Sequence, residues 1–484
     1  QEPLPPKPHN IGEDEAALSA WKAEASEVYA RNVQVAGQRT AFLQNLTTAE
    51  QLVEHLRFWL PIMLCGRSRT YPIPNFNHHV GDLTRGLILA GSSRPHDTPA
   101  AQRWISIHLA NTWGFDSGSY DARVDWAHDN MSLAAEVAKD PCGTTDVWAK
   151  ADKPWQFLAA CEATINPEIA SRLLVQVDGS CNGLQHMAAM GLDVVGGALV
   201  NLVPGPHPAD LYAEVARVTH ETVERVAGDQ SEESQLAREI LASNILDPKL
   251  GFARKLCKRP AMTKSYRVSD IGVRDQVKDE MRKNGIERKQ AARFSQFLGP
   301  VIQAAVGDRC PKANEIMDWF VECGKLMIDD DPCRAIGWTT SLGWRCEQPY
   351  RTRPRRHTIK TLLQEFNLGV TDAECPVARR KQLNGLTANV IHSEDGTHKL
   401  TTGLRCKDAG IAFADIFDCF QSHADDMPLL NHLLRSEFVN QHATDRLQCL
   451  HDEWKADTGL DLPPPPPRGS LDLNGIMQSD YFFN

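Results

Sequence analysis

The string Val177-Asp178-Gly179-Ser180-Cys181-Asn182-Gly183-Leu184-Gln185-His186 places a carboxylate at the end of a short, β-branched apolar run. An acid in that position, followed at once by glycine, stands at the rim of a sheet. Side chain and next backbone carbonyl can then both reach a hard cation such as Mg²⁺. Taken alone, Asp-Gly after a strand is more often a turn than a metal site. A second acid of this kind, Asp418, follows 240 positions later, at the end of Phe413-Ala-Asp415-Ile-Phe417. Two carboxylates at neighbouring strand ends could hold a pair of divalent ions ~3.5–4 Å apart, the geometry of in-line phosphoryl displacement. Asp415 competes for this role but alternates to the other face of its strand. The cationic counterpart is a helix on which Arg254, Lys258, Met262 and Tyr266 recur at steps of four, two cations and then a phenol on one face. Cations so spaced repel unless an anion sits between them, and a triphosphate would serve. Without one, the segment is an exposed basic helix. Pro260 implies a kink or break within it.

The elements that must position these groups follow from periodicity. Residues 1–12 read as an extended Pro-rich lead-in and Glu13–Val35 as an amphipathic helix. Helical patterns recur near 80–92 and 99–112, dominate from about 207 to 328, and return around 425–454. Arg172–Asp178 and Ile411–Phe417 read as short strands, and Arg334–Tyr350, with Gly337 and Gly343, as a hairpin. The five prolines at 463–467 form a stiff connector. Many helices around a few short strands give a mixed α/β (α+β), mostly helical fold in which a small sheet carries the site.

With 484 residues, 42% apolar and 24% charged, the chain suffices for roughly two to four domains or one composite body. No run approaches the ~18 apolar residues of a membrane span, so no membrane partner is expected. Thirteen dispersed cysteines without a C-x-x-C pair read as reduced thiols, neither a disulfide framework nor a zinc site. Net charge is -10, yet residues 249–293 carry 14 Lys/Arg against 5 Asp/Glu. Arg351, Arg353, Arg355, Arg356 and Lys360 make a second basic run. Two such segments in an acidic chain point to a phosphate-binding groove.

Taken together, Asp178-Gly-Ser-Cys-Asn-Gly-Leu-Gln-His186, Arg254…Lys258-Arg259…Met262-Thr263…Tyr266 and Phe417-Asp418-Cys-Phe420 resemble the first palm motif, the fingers helix and the second palm motif of the single-subunit DNA-directed RNA polymerases of bacteriophages and mitochondria. Arg67-Ser-Arg69-Thr-Tyr71, Ile391-His392-Ser-Glu-Asp395-Gly396-Thr-His398 and the ending Ser479-Asp480-Tyr481-Phe482-Phe483-Asn484 are similar to further segments of that family, in its order.

The resemblance implies a right-hand polymerase fold: the end of the thumb and entry to the palm at 1–60, palm at 61–205, and fingers at 206–330. A promoter-reading hairpin with the remaining fingers and palm would occupy 331–400, and palm with the aromatic tail 401–484. Thumb and N-terminal domain would be largely absent. Asp178 and Asp418 would ligate two Mg²⁺ ions with the Gly179 carbonyl. Lys258 would bind the triphosphate and could protonate pyrophosphate, and Arg254 would clamp phosphates. Tyr266 would sense the ribose 2′-hydroxyl and His392 the nascent pair. Arg67, Arg69, Tyr71 and Arg259 would contact nucleic acid. The implied partners are a DNA template and promoter, nascent RNA and ribonucleoside triphosphates, with the protein a monomer. Location would be the host-cell cytoplasm for a phage protein, or else the mitochondrion.

The chain departs from the family pattern in four places: Phe417 replaces His, Arg267 replaces Gly, Cys65 replaces Asp and Ser106 replaces Lys. Arg267 is expected to disturb template placement. Beginning at Gln1 and near the end of a thumb, the chain reads as a fragment of a longer polymerase. The alternatives are a related right-hand DNA polymerase or a catalytically impaired nucleic-acid-binding remnant.

Overall fold

Two apolar runs far apart in sequence build the sheet. Leu174–Asp178, buried through Val175, Gln176 and Val177, pairs antiparallel with Cys419–His423, which pairs in turn with Ala414–Ile416. The register sets Leu174 opposite His423 and Asp178 opposite Cys419. A computed structural model describes residues 2–8, 14–231, 233–247, 251–352, 357–368 and 375–484. Lys249, Arg353, Arg355 and Arg356 of the basic runs lie outside the described residues.

The architecture is mostly helical α+β. The inner faces of the sheet strands, Val175, Val177 and Phe420, join one core with Asn182–Gly191, Leu211–Gly228, Phe252–Lys264, Arg288–Arg309, Pro311–Asp330, Arg379–Ala409 and Met427–Ala443. The Asn182–Gly191 helix is buried along its whole length, since it packs against both Pro311–Asp330 and Arg379–Ala409. A second, smaller core gathers Leu109, Trp148 and Phe157 with Trp113 and Trp155 beside the sheet. Among the described residues no disulfide joins the cysteines, and no helix is long and apolar enough to cross a membrane.

Several sequence expectations are corrected. The first helix runs Glu15–Leu52 and buries only Ala25 and Val28. The long helix of 425–454 is two helices, Met427–Ala443 and Arg446–Thr458, because Asp445 accepts from the Gln448 N–H and starts a second one. The helix Phe252–Lys264 passes through Pro260 without a break. Asp418 is not at a strand end but in the turn joining Ala414–Ile416 to Cys419–His423. The aromatic ending begins as a short 3₁₀ turn, Leu473–Gln478, and leads into an extended stretch. That stretch pairs with the free edge of the Asp178 strand: Asp178 and Asn484 exchange backbone hydrogen bonds of 3.1 Å each, and Gly179 bridges Phe483. Edge pairing satisfies backbone groups that a helix would have left at the sheet rim. The hairpin at 334–350 forms as expected, Gly337–Thr339 against Arg345–Glu347.

Candidate active site

Sheet register brings the two acids together. Because Asp178 pairs with Cys419, its neighbour Asp418 falls beside Gly179, whose N–H donates to the Asp418 carbonyl at 3.2 Å. Both carboxylates open onto one cleft of about 320 Å³. The turn that carries Asp418 holds Phe417 at φ 61, a left-handed conformation that costs a non-glycine residue about 1–3 kcal/mol. Its ring is held by Tyr71 (5.4 Å) and His79 (5.1 Å), and by the Arg69 guanidinium 4.8 Å from its centroid.

Burial, then the nearby Asp178 and Asp395 charges, push the Asp418 carboxyl well above the usual range. Burial also raises Asp178, opposed first by the Lys153 charge and then by the Gly179 N–H and Lys258. Asp178 nevertheless remains accessible from the cleft, so a solvated ligand can reach it. Two crowded carboxylates opening onto one cleft fit a divalent cation, which would relieve their repulsion. Among the described residues no group of three or more His, Cys, Asp or Glu side chains forms a closed cage. An ion between Asp178 and Asp418 would therefore keep positions open for water or substrate oxygens, as Mg²⁺ prefers.

Arg254, Lys258 and Met262 line the same cleft, with Tyr266 just past the helix end. The anion expected between the cations is supplied in part by the protein itself. Asp210 accepts from Arg254 Nε at 2.5 Å, while its other oxygen caps the helix Leu211–Gly228. The Tyr212 ring carries Arg254 at 5.5 Å and Lys258 at 5.9 Å. The Lys258 ammonium forms no hydrogen bond or ion pair among the described residues. Arg259 is exposed and outside the cleft.

The third side is built by close approach. A Cβ on Gly183 would lie 2.5 Å from Ser265 Oγ and 3.4 Å from the Tyr266 hydroxyl, so only glycine lets the Asp178 motif pack under the Tyr266 turn. The rings of Tyr266 and His392 are 4.9 Å apart. Burial and Asp418 raise the Tyr266 phenol, which stays a donor; burial and Arg69 depress His392 to about 3, leaving a neutral imidazole. Arg69 pairs with buried Asp395 (2.7 Å), which also accepts from Asn182 Nδ2 (2.9 Å). Arg67 reaches Asn389 Oδ1 at 3.0 Å. The structure thus gathers Asp178, Gly179, Asp418, Arg254, Lys258 and Tyr266 in one cleft, with His392, Arg69, Tyr71 and Arg67 in the adjoining layer. Arg267 takes φ 52, the conformation a glycine would adopt. Its Nη1 donates to the Met317 carbonyl at 3.0 Å, and it is not among the cleft-lining residues.

Sequence reasoning missed Lys153, Asp210 and Tyr212, all in the cleft wall. Asp210 carries a helix-cap signal, and nothing local marks Lys153 or Tyr212. It also missed Asn484, whose amide bonds Ser180 Oγ (3.1 Å) and Arg123 (3.0 Å).

The profile of the DNA-dependent RNA polymerase family matches residues 96–462. The chain is 35% identical to the mitochondrial DNA-directed RNA polymerase 1B of Nicotiana tabacum over all of its own length and 48% of the relative. It is 35% identical to the chloroplastic/mitochondrial DNA-directed RNA polymerase 2 of Arabidopsis thaliana, at the same coverage. To the chloroplastic DNA-directed RNA polymerase 3 of Nicotiana sylvestris it is 33% identical, over 99% of the chain and 49% of the relative. The chain spans about half the length of the curated relatives it matches.

Proposed function

We propose, from the premise that this chain belongs to the DNA-dependent RNA polymerase family, that its cleft makes RNA on a DNA template from ribonucleoside triphosphates. The observation that carries this reading is the meeting of Asp178 and Asp418, from segments 240 positions apart, beside a cationic helix. In the reaction the 3′-oxygen of the growing RNA bonds to the α-phosphorus, the α–β bridging bond breaks, and pyrophosphate leaves with its electron pair. The 3′-hydroxyl proton passes to solvent. Asp178, Asp418 and the Gly179 carbonyl would hold two Mg²⁺ ions, whose chemistry there is to acidify the 3′-hydroxyl and offset charge on the leaving phosphates. Lys258, unpaired and in the same cleft, binds the triphosphate and is placed to give pyrophosphate a proton. Arg254 divides its donors between Asp210 and a phosphate, or exchanges Asp210 for the phosphate. The protonated Tyr266 hydroxyl beside Gly183 tests the incoming sugar, with the neutral His392 ring tilted against the Tyr266 ring. Arg67, Arg69 and Tyr71 support the hybrid.

We read 61–205 and 401–484 as palm, since Leu174–Asp178 of the one pairs with Cys419–His423 of the other, and 206–330 as fingers. The hairpin at 334–350 is the promoter-reading element. The organellar names of the relatives favour a mitochondrial or other organellar location over a phage-infected cytoplasm.

The test is primer extension on a preassembled RNA–DNA scaffold, which bypasses any promoter. Extension with ribonucleotides, lost on Asp178→Asn and on Asp418→Asn, is expected. Failure of the unmodified chain to extend would refute the reading, and equal use of deoxyribonucleotides would remove the role of Tyr266.

A further inference from the structure

The cleft contains a cation that the motifs do not predict. Lys153 precedes Pro154 at the start of the helix Pro154–Ala163. Its N–H donates to the Thr112 carbonyl (3.1 Å), its carbonyl accepts from Phe157 N–H (2.8 Å), and the Asp152 N–H is tied to Trp113 (3.1 Å). This mounting rests on the second core of Trp113, Trp148 and Phe157, so the Lys153 backbone is fixed. Its half-buried side chain lines the cleft with Asp178, Lys258 and Asp418. No hydrogen bond or ion pair of its ammonium forms among the described residues, even though Asp178 is near enough for Lys153 to be its strongest favourable charge. The side chain is thus attracted to Asp178 yet not in contact with it. A half-buried ammonium left this way keeps its donors free for a ligand in the cleft.

The acids around Lys153 sort by partner. Asp210 is engaged by Arg254. Asp178 and Asp418 face each other, and Asp116 stands in the wall. Once cations offset the central pair, the cleft keeps Lys153 and Lys258 as two unpaired ammonium groups on different elements. Ammonium, a compact point charge with rotatable donors, suits the non-bridging oxygens of a phosphate chain.

We propose that Lys153 is a second phosphate-binding cation of this cleft, holding the pyrophosphate end of a nucleoside triphosphate and the free pyrophosphate product. This rests on the nucleotidyl-transfer reading of the cleft and adds a residue from outside the fingers helix. Lys153 stands on a different element from the helix that carries Lys258, so the two cations are mounted independently on one cleft. It also offsets charge that accumulates as the α–β bond breaks.

The experiment is calorimetric titration of the full chain with inorganic pyrophosphate, with and without Mg²⁺, for the unmodified protein, Lys153→Gln and Lys153→Arg. Lys153→Gln is expected to weaken pyrophosphate binding about tenfold, the loss of one charge-assisted contact, and Lys153→Arg to stay within about threefold. Lys153→Met replaces the Gln variant if thermal unfolding shows that the latter does not fold. Pyrophosphate bound as tightly by the uncharged variant would overturn the proposal. So would a variant that changes only the Mg²⁺ titration, for then Lys153 is merely the counter-charge of Asp178. Scaffold extension by the unmodified chain is scored separately, so failure of the polymerase reading is distinguished from failure of this one.

Discussion

The helix Asn182–Gly191 separates two regions that solve the same electrostatic problem in opposite ways. At its start, Asn182 faces Asp395, and the cleft holds Asp178 and Asp418, both raised by burial. One turn later His186 enters a sealed core with His398 and His442, among the rings of Phe438, Phe482 and Phe483. There burial pushes His186 and His442 well below the usual imidazole range and lowers His398. The neutral rings bond one another, His186 Nδ1 to His442 Nε2 at 2.9 Å, and His398 Nε2 bonds the Leu434 carbonyl at 2.8 Å. The core discharges its titratable groups. The cleft keeps its acids crowded where a cation can enter. Desolvation serves structure in one region and ligand binding in the other.

The largest effect that could break this contrast is at Asp418. Asp418→Asn should lower scaffold extension by at least about 10³-fold, yet raise the stability of the metal-free chain at neutral pH. The sign follows from the raised carboxyl. Between the unfolded and folded pKa values the folded state binds more protons, so the native acid loses stability as pH rises through that window. The stability gap between variant and unmodified protein, from thermal unfolding without divalent ions, should therefore shrink as pH falls from 8 to 5. A constant gap would contradict the contrast.

The histidine core gives the opposite slope. Its folded pKa values are depressed, so below about 6.5 the unfolded state takes up protons that the core refuses, and stability falls with pH. Each histidine contributes up to about 1.4 kcal/mol per pH unit. Denaturant midpoints between pH 7.5 and 5.5 measure it, best in the Asp418→Asn background, where the more strongly raised acid of the cleft is gone. A flat profile would show that the core is not sealed.

Smaller effects sharpen the boundary. A Cβ on Gly396 would collide with the Ser68 carbonyl, behind Arg69. Gly396→Ala should cost about 1–3 kcal/mol in denaturant unfolding, with extension reduced through the displaced Arg69. Arg267→Gly should be the mildest. It relieves the left-handed backbone but loses the bond to Met317, two terms of about 1 kcal/mol that oppose each other. A net change under about 1 kcal/mol is expected, and extension on the scaffold should hold. A large gain in extension would mean that Arg267 does obstruct the template.

What the sequence made legible follows from range. Asp178, Lys258 and Tyr266 announce themselves through local spacing, and the Leu174–Asp178 strand through its β-branched run. The break at Thr444 was also written locally, in the Asp445 cap, but a continuing apolar period masked it. Other features depend on contacts that no local pattern encodes. The Tyr481–Asn484 stretch becomes an edge partner only because the Asp178 strand has a free edge. Asp210 claims Arg254 across 44 positions, and Lys153 enters the cleft because a tryptophan-rich core mounts it there. At Arg267 the sequence shows the departure from glycine but not what the backbone requires there. The position demands a positive φ, which arginine meets while its side chain points to Met317.

The account stands or falls on whether Asp178 and Asp418 hold metal jointly. Titrating Mn²⁺, a spectroscopic substitute for Mg²⁺, into the unmodified chain, Asp178→Asn and Asp418→Asn, with paramagnetic resonance of the free ion as the readout, tests this without any catalysis. Saturable binding that either single substitution weakens by about tenfold or more is the predicted result. Binding that survives both substitutions unchanged would contradict it.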